Sequence, residues 1–120
     1  MRYLLDTNPI IIALNRGYLL PDNVYIISII TEMELLSYSK LSDKEKSEIN
    51  ALLSNFQIIE LGSEIKNLAI ELRQKYNLKL PDSIIVATAI ETKSILITSD
   101  KQLSKITEVE TIEINTLVDR

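Results

Sequence analysis

Arg2-Tyr3-Leu4-Leu5-Asp6-Thr7-Asn8-Pro9 decides the reading of the fold, because a short apolar run ends directly on an acid and turns at once into helix-starting residues. Read as a strand, it places the Asp6 carboxylate at the strand's C-terminal end. In open parallel sheets, ligands bind in the crevice outside the carboxyl ends of the strands, where strand order reverses. A central first strand puts Asp6 in that crevice. Asn8 or Thr7 can cap the following helix, and Pro9 suits a first helical position, where the missing N–H costs nothing.

Working outward, the pattern alternates strand with helix. Pro9 to Leu14 reads as a helix, Gly17 and Pro21-Asp22-Asn23 as turns, and Val24-Tyr25-Ile26-Ile27 as a second, β-branched strand. Ser28 then caps a helix running to about Tyr38, in which Ser28, Thr31 and Glu34 recur every three residues and share a face. Ser42-Asp43-Lys44-Glu45 matches a capping box, and Ile49, Leu52 and Leu53 supply the buried stripe of the helix it opens. Phe56 to Ile59 reads as a third strand. Glu64 to Tyr76 carries Ile65, Leu68, Ala69 and Leu72 at helical spacing, with Asn77 as its stop. Leu80-Pro81-Asp82 opens a helix over Ser83 to Thr92 that is apolar nearly all round and therefore buried. Ile95 to Thr98 is a fourth strand ending in Ser99-Asp100, and Thr111 to Ile114 a fifth.

The fold class expected is α/β: a small doubly wound parallel sheet of about five strands with helices on both faces. At 120 residues, 46% hydrophobic, with two glycines and three prolines, the chain is expected to form one domain, residues 1–120, with no linker or repeat.

Composition removes much of the catalytic menu. The chain has no cysteine and no histidine, which excludes a disulfide framework, a thiol nucleophile, a zinc site of the usual His/Cys kind and imidazole acid–base chemistry. The formal charge of −4 argues against a nonspecific nucleic-acid coat, though not against a nuclease with clustered acids. Lys40, Lys44 and Lys46 form a candidate basic patch, for which a solvated helix face is the preferred explanation. Asp6, Asn8 and Pro9 interrupt the apolar core a secretory leader would need, and no run approaches the ~18 apolar residues of a membrane span. A cytoplasmic location without membrane association is expected.

Four acids stand at comparable points: Asp6 and Asp100 follow strands, Glu34 lies early in the helix after a strand, and Asp82 begins a helix. Each has an ordinary explanation as a turn, cap, dipole-complementing or surface residue. With the first and fourth strands adjacent, however, all four can converge at one end of the sheet. Two unit charges ~4 Å apart repel by about 4 kcal/mol at an effective dielectric of ~20, and a divalent cation reverses that sign. All-oxygen ligation suits Mg²⁺ or Mn²⁺, and hydrolysis of a phosphodiester fits that set, since no histidine is present to deprotonate a ribose 2′-hydroxyl.

The motifs resemble the PIN-domain ribonucleases, most closely the VapC-type toxins of toxin–antitoxin pairs, over nearly the whole chain. Leu4-Leu5-Asp6-Thr7-Asn8 is similar to the family's opening acid motif, and Ser28-x-x-Thr31-x-x-Glu34-Leu35 to its second. Pro81-Asp82-Ser83-Ile84-Ile85-Val86-Ala87-Thr88-Ala89 resembles the third, followed by Ile97-Thr98-Ser99-Asp100. The resemblance implies a metal-dependent endoribonuclease in which Asp6, Glu34, Asp82 and Asp100 are the catalytic acids and hold one or two Mg²⁺ or Mn²⁺ ions. It assigns Asn8 and Thr98 to orienting ligands or water. It further implies an RNA substrate, a homodimer and a cognate antitoxin whose tail enters the acidic cleft. Two features depart from the pattern: Gln102 and Leu103 stand where relatives often have a further acid and an aromatic, which would remove a fifth ligand or a packing contact. Glu32 is a competing ligand two residues before Glu34, but Glu34 shares the face of Ser28 and Thr31.

Rivals lack their signatures. A receiver-type signalling domain needs an Asp at the end of the third strand, where Glu60-Leu61-Gly62-Ser63 stands. A haloacid-dehalogenase-like phosphatase needs an acid at Asn8, and dinucleotide or P-loop folds need glycines the chain does not have. A catalytically weak PIN-like interaction module is the remaining alternative.

Overall fold

The computed structural model describes residues 1–118; the last two positions of the expected 1–120 domain lie outside the described residues. Its centre is a five-stranded, wholly parallel sheet in the order β3-β2-β1-β4-β5, built from β1 (Arg2–Leu5), β2 (Val24–Ser28), β3 (Gln57–Ile59), β4 (Ile95–Ile97) and β5 (Thr111–Ile112). The first strand is central, as its three buried residues in a row require, and strand order reverses between β1 and β4.

Helices cover both faces because strand side chains alternate. Leu4, Ile26 and Leu96 point to the face covered by α4 (Ser63–Tyr76) and α5 (Leu80–Glu91). Tyr3, Leu5, Ile27 and Ile97 point to the other, against α1 (Thr7–Arg16), α3 (Asp43–Leu53) and α6 (Ile114–Val118). Leu4, Leu5, Leu96 and Ile97 are wholly buried, each contributing on the order of 1.5–3 kcal/mol of transfer free energy. α2 (Ile29–Leu36) bridges the two layers, with Ile30 packed on the first cluster and Leu35 in the second.

Local signals set most element ends. Ser42 and Glu45 form the full capping box of α3, Asn77 closes α4 in the left-handed conformation, and Gly17 closes α1 in the same way. Seven consecutive residues of α5, Ser83 to Ala89, are buried, in keeping with its all-round apolar sequence. Lys40, Lys44 and Lys46 are exposed, as a solvated face requires.

Several expectations need correction. α1 starts at Thr7 and runs to Arg16, two residues beyond Leu14, and its cap is Asp6, not Asn8 or Thr7; Pro9 is the third helical residue and is buried. α2 ends at Leu36 rather than Tyr38. α5 already begins at Leu80, so Pro81 and Asp82 lie in its first turn. β5 ends at Ile112, and Ile114 opens α6 instead of extending the strand. Leu103, in a 3₁₀ turn over Leu103–Lys105, is fully buried in the core, so the packing contact expected to be missing there is made by leucine.

Candidate active site

Strand register brings the first two site residues together. Leu5 pairs with Ile97, the Asp6 amide donates to the Ile97 carbonyl at 2.9 Å, and Asp6 and Thr98 therefore leave adjacent strand ends side by side. The Thr98 hydroxyl, buried, donates to Asp6 Oδ2 at 2.9 Å and accepts from the Asp100 amide at 3.1 Å. The Thr7 amide donates to Asp6 Oδ1 at 2.8 Å, so both oxygens of Asp6 are held. Asn8 donates to the Ser99 hydroxyl at 3.2 Å, tying the start of α1 to the turn after β4.

Glu34 arrives from the neighbouring strand–helix unit. Ser28 ends β2 and caps α2 by accepting from the Ile30 amide, and Glu34 lies two turns on, on the face of buried Thr31. Its Oε1 accepts from the Thr7 hydroxyl at 2.6 Å, which turns Glu34 towards the β1 end. Asp82 enters from the first turn of α5, where its charge complements the helix macrodipole. Asp100 accepts from the Gln102 amide at 2.8 Å, an Asx-type turn that shapes the loop after β4.

The charges act on one another. Burial, outweighing the hydrogen bonds from Thr98 and Thr7, holds the Asp6 carboxyl above its ordinary value, with Glu34 and Asp100 adding repulsion. Burial also raises Asp82, followed by repulsion from Asp6, Asp100 and Glu34, while Lys79 opposes the shift. The four carboxylates thus act on one another electrostatically near the strand ends where strand order reverses. Among the described residues, no three acidic side chains draw close enough to ligate one ion together.

The donor set nonetheless fits a hard cation: carboxylates and hydroxyls, with no soft nitrogen or sulfur ligand. A carboxylate oxygen accepting one hydrogen bond keeps a lone pair for a metal, so the bonds to Asp6 and Glu34 do not use up their capacity. Sequence reasoning gave Thr7 only a capping role; the structure joins it to Glu34, a contact between residues 27 positions apart. The signal was a hydroxyl residue directly after the acid, but nothing local aims it. The same holds for the Ser99 hydroxyl, which accepts from Asn8 across 91 positions of sequence.

Residues 3–109 match the PIN domain family. No curated protein matches the chain at the sequence level. Among solved structures, a toxin–antitoxin complex from Klebsiella pneumoniae is similar at 32% identity and a TM-score of 0.75, covering 92% of this chain and 98% of that one. VapBC2 from Rickettsia felis, bound to a DNA fragment from its promoter, is 25% identical with a TM-score of 0.81, over 94% and 98% of the two chains. DNA-bound VapBC from Salmonella typhimurium, at 17% identity, shares the fold with a TM-score of 0.82 over 94% and 98%. PIN domains are generally nucleases that use divalent metal ions. With its parallel sheet, its acidic crevice and a family match over most of its length, the chain belongs to the PIN-domain family.

Proposed function

We propose that the protein is a divalent-metal-dependent endoribonuclease and the toxin of a toxin–antitoxin pair. The observation that carries the reading is the gathering of Asp6, Glu34, Asp82 and Asp100 about one crevice, where burial and mutual repulsion raise Asp6 and Asp82. Such a cluster is costly alone and favourable around a cation. Asp6, Asp82, Asp100 and Glu34 would hold Mg²⁺ or Mn²⁺, the more exposed Asp100 turning inward. A cation there supplies Lewis acidity at the phosphoryl oxygens and a nucleophilic water at neutral pH. Thr98 holds Asp6 and the Asp100 backbone in fixed relation, and Asn8 fixes the adjoining turn, so these two residues orient the site. Lys79, the cation acting on Asp82, would meet the substrate's phosphate backbone. The likeness to toxin–antitoxin complexes supports a cognate antitoxin as partner; RNA is the proposed substrate and a homodimer the proposed working form.

A second reading, a catalytically weak interaction module, draws on the absence of three close-set acids among the described residues and on Gln102 in place of a further acid.

Incubation of the purified protein with pooled RNA, with Mn²⁺, Mg²⁺ or EDTA, separates the two. Internal cleavage with metal, abolished by EDTA and reduced about 10²–10³-fold in Asp82→Asn, is expected from loss of a charge-stabilising group. Intact RNA under every metal condition favours the module. Cleavage that survives exhaustive EDTA dialysis overturns the metal-dependent reading.

A further inference from the structure

We propose that Thr7 is a positioning residue for Glu34, aiming its carboxylate into the acidic crevice through a hydroxyl relay that starts at Thr31. The metal-binding consequence rests on the nuclease reading above; the aiming of Glu34 does not.

Three observations carry it. The Thr7 hydroxyl lies 2.6 Å from Glu34 Oε1 and 3.3 Å from the Thr31 hydroxyl, so one oxygen touches both groups. Thr31 is wholly buried, and Thr7 and Glu34 are half-buried, so water competes weakly for these bonds. Thr7 follows Asp6 directly and is the first residue of α1, which makes it as fixed as the β1 end itself.

The polarity of the relay follows from counting protons. An ionised carboxylate can only accept, and a threonine hydroxyl has one proton to give. The Thr7 proton therefore goes to Glu34, and the Thr7–Thr31 contact is made with the Thr31 proton. Thr31, one turn before Glu34 on the same helix, thus orients Thr7, and Thr7 orients Glu34. Glu34 has several rotatable bonds, and the hydrogen bond from the Thr7 hydroxyl to Oε1 sets its direction. Without the relay it is free to swing towards solvent, away from Asp6 and Asp82.

The relay also explains why threonine serves better than a longer donor. Thr7 has a single side-chain torsion, restricted by β-branching within a helix, so its hydroxyl points along few directions. Removing a group that hydrogen-bonds and orients a metal-ligating side chain typically weakens metal binding by about 10–100-fold.

Thr7→Val keeps the shape and removes only the hydroxyl; Thr7→Ser restores it. In the full-length protein without RNA, Mn²⁺ binding measured by calorimetry is expected to weaken about 10–100-fold in Thr7→Val and to return to within about threefold of wild type in Thr7→Ser. In a Glu34→Gln background, Thr7→Val should cause little further loss, because the hydroxyl acts through that carboxylate. Unchanged Mn²⁺ affinity in Thr7→Val, or an equal loss in the Glu34→Gln background, overturns the proposal. A metal-free arm separates this from failure of the nuclease reading: thermal unfolding in EDTA of Thr7→Val, Glu34→Gln and the double variant. If the wild type binds no Mn²⁺, non-additive melting shifts of a few degrees still support the aiming of Glu34, and additive shifts overturn it.

Discussion

Asp6 serves the fold and the crevice with the same two oxygens. Oδ1 accepts from the Thr7 amide and caps α1, while Oδ2 accepts from the Thr98 hydroxyl across the strand boundary. Its pKa is raised because burial outweighs both bonds, and Asp82 is raised by burial and three neighbouring acids. Both groups hold a proton more tightly folded than unfolded. Their contribution to stability is therefore present below the ordinary aspartate value and lost as pH rises through the raised folded values. Glu108 has the opposite sign: the Tyr76 hydroxyl, and then Lys75 at 3.1 Å and Thr107, push it down to about 2. Its contribution is present above the ordinary glutamate value and is lost as pH falls towards about 2. In melting temperatures measured across pH, Asp6→Asn should flatten the decline that sets in as pH rises above the ordinary aspartate value, and Tyr76→Phe should shrink the loss at the acidic extreme. An Asp6→Asn profile parallel to wild type would contradict the first. Asp82→Asn is a less direct probe of level, because it also forfeits about 0.3–1 kcal/mol of interaction with the α5 dipole; its slope against pH is the informative quantity.

At the scale of elements, stops matter as much as starts. Gly17 closes α1 at φ +64°, its amide donating to the Ala13 carbonyl, and the chain then turns towards β2. A Cβ at Gly17 would meet nothing within 4 Å, so the cost of Gly17→Ala is backbone strain alone. That cost should be about 1–2 kcal/mol, read as a lower urea midpoint with an unchanged slope. A midpoint equal to wild type would show that the turn relaxes elsewhere. The alternating Thr111-Ile112-Glu113-Ile114 looked like one strand, yet β4 ends at Ile97 and the Thr98 amide, bonded to the Ile112 carbonyl, is the last rung. Past that rung, Ile114 and Leu117 bury themselves at helical spacing in α6, a choice made by the neighbouring strand's length.

For the molecule as a whole, the position of β1 between β2 and β4 is what makes a site. Asp6 and Thr98 are 92 residues apart and hydrogen-bonded. On the proposed reading a cation bound among these acids would relieve their repulsion, so metal should stabilise the fold by mass action. Mn²⁺ at about 100 times its dissociation constant should add about 2.7 kcal/mol, several degrees of melting temperature, and Asp6→Asn should reduce the shift. No shift in wild type at millimolar Mn²⁺ would count against a metal in the crevice. Among the described residues, no helix is long and apolar enough to cross a membrane.

Features written within a few residues were legible from the sequence alone: the alternation of strands and helices, Asp6 at a strand end, the Ser42–Glu45 capping box, the Asn77 stop and the buried character of α5. These follow from periodicity and from side chains that bond their own neighbourhood. Helix spacing also put Thr31 and Glu34 on one face, and both meet the Thr7 hydroxyl. Tertiary structure alone decided the pairing of β1 with β4, the turn of Thr7 towards Glu34, the burial of Leu103 and the end of β5. Each depends on contacts between distant segments, whose energy is realised only once the two layers close over the sheet, and no short window of sequence carries that information.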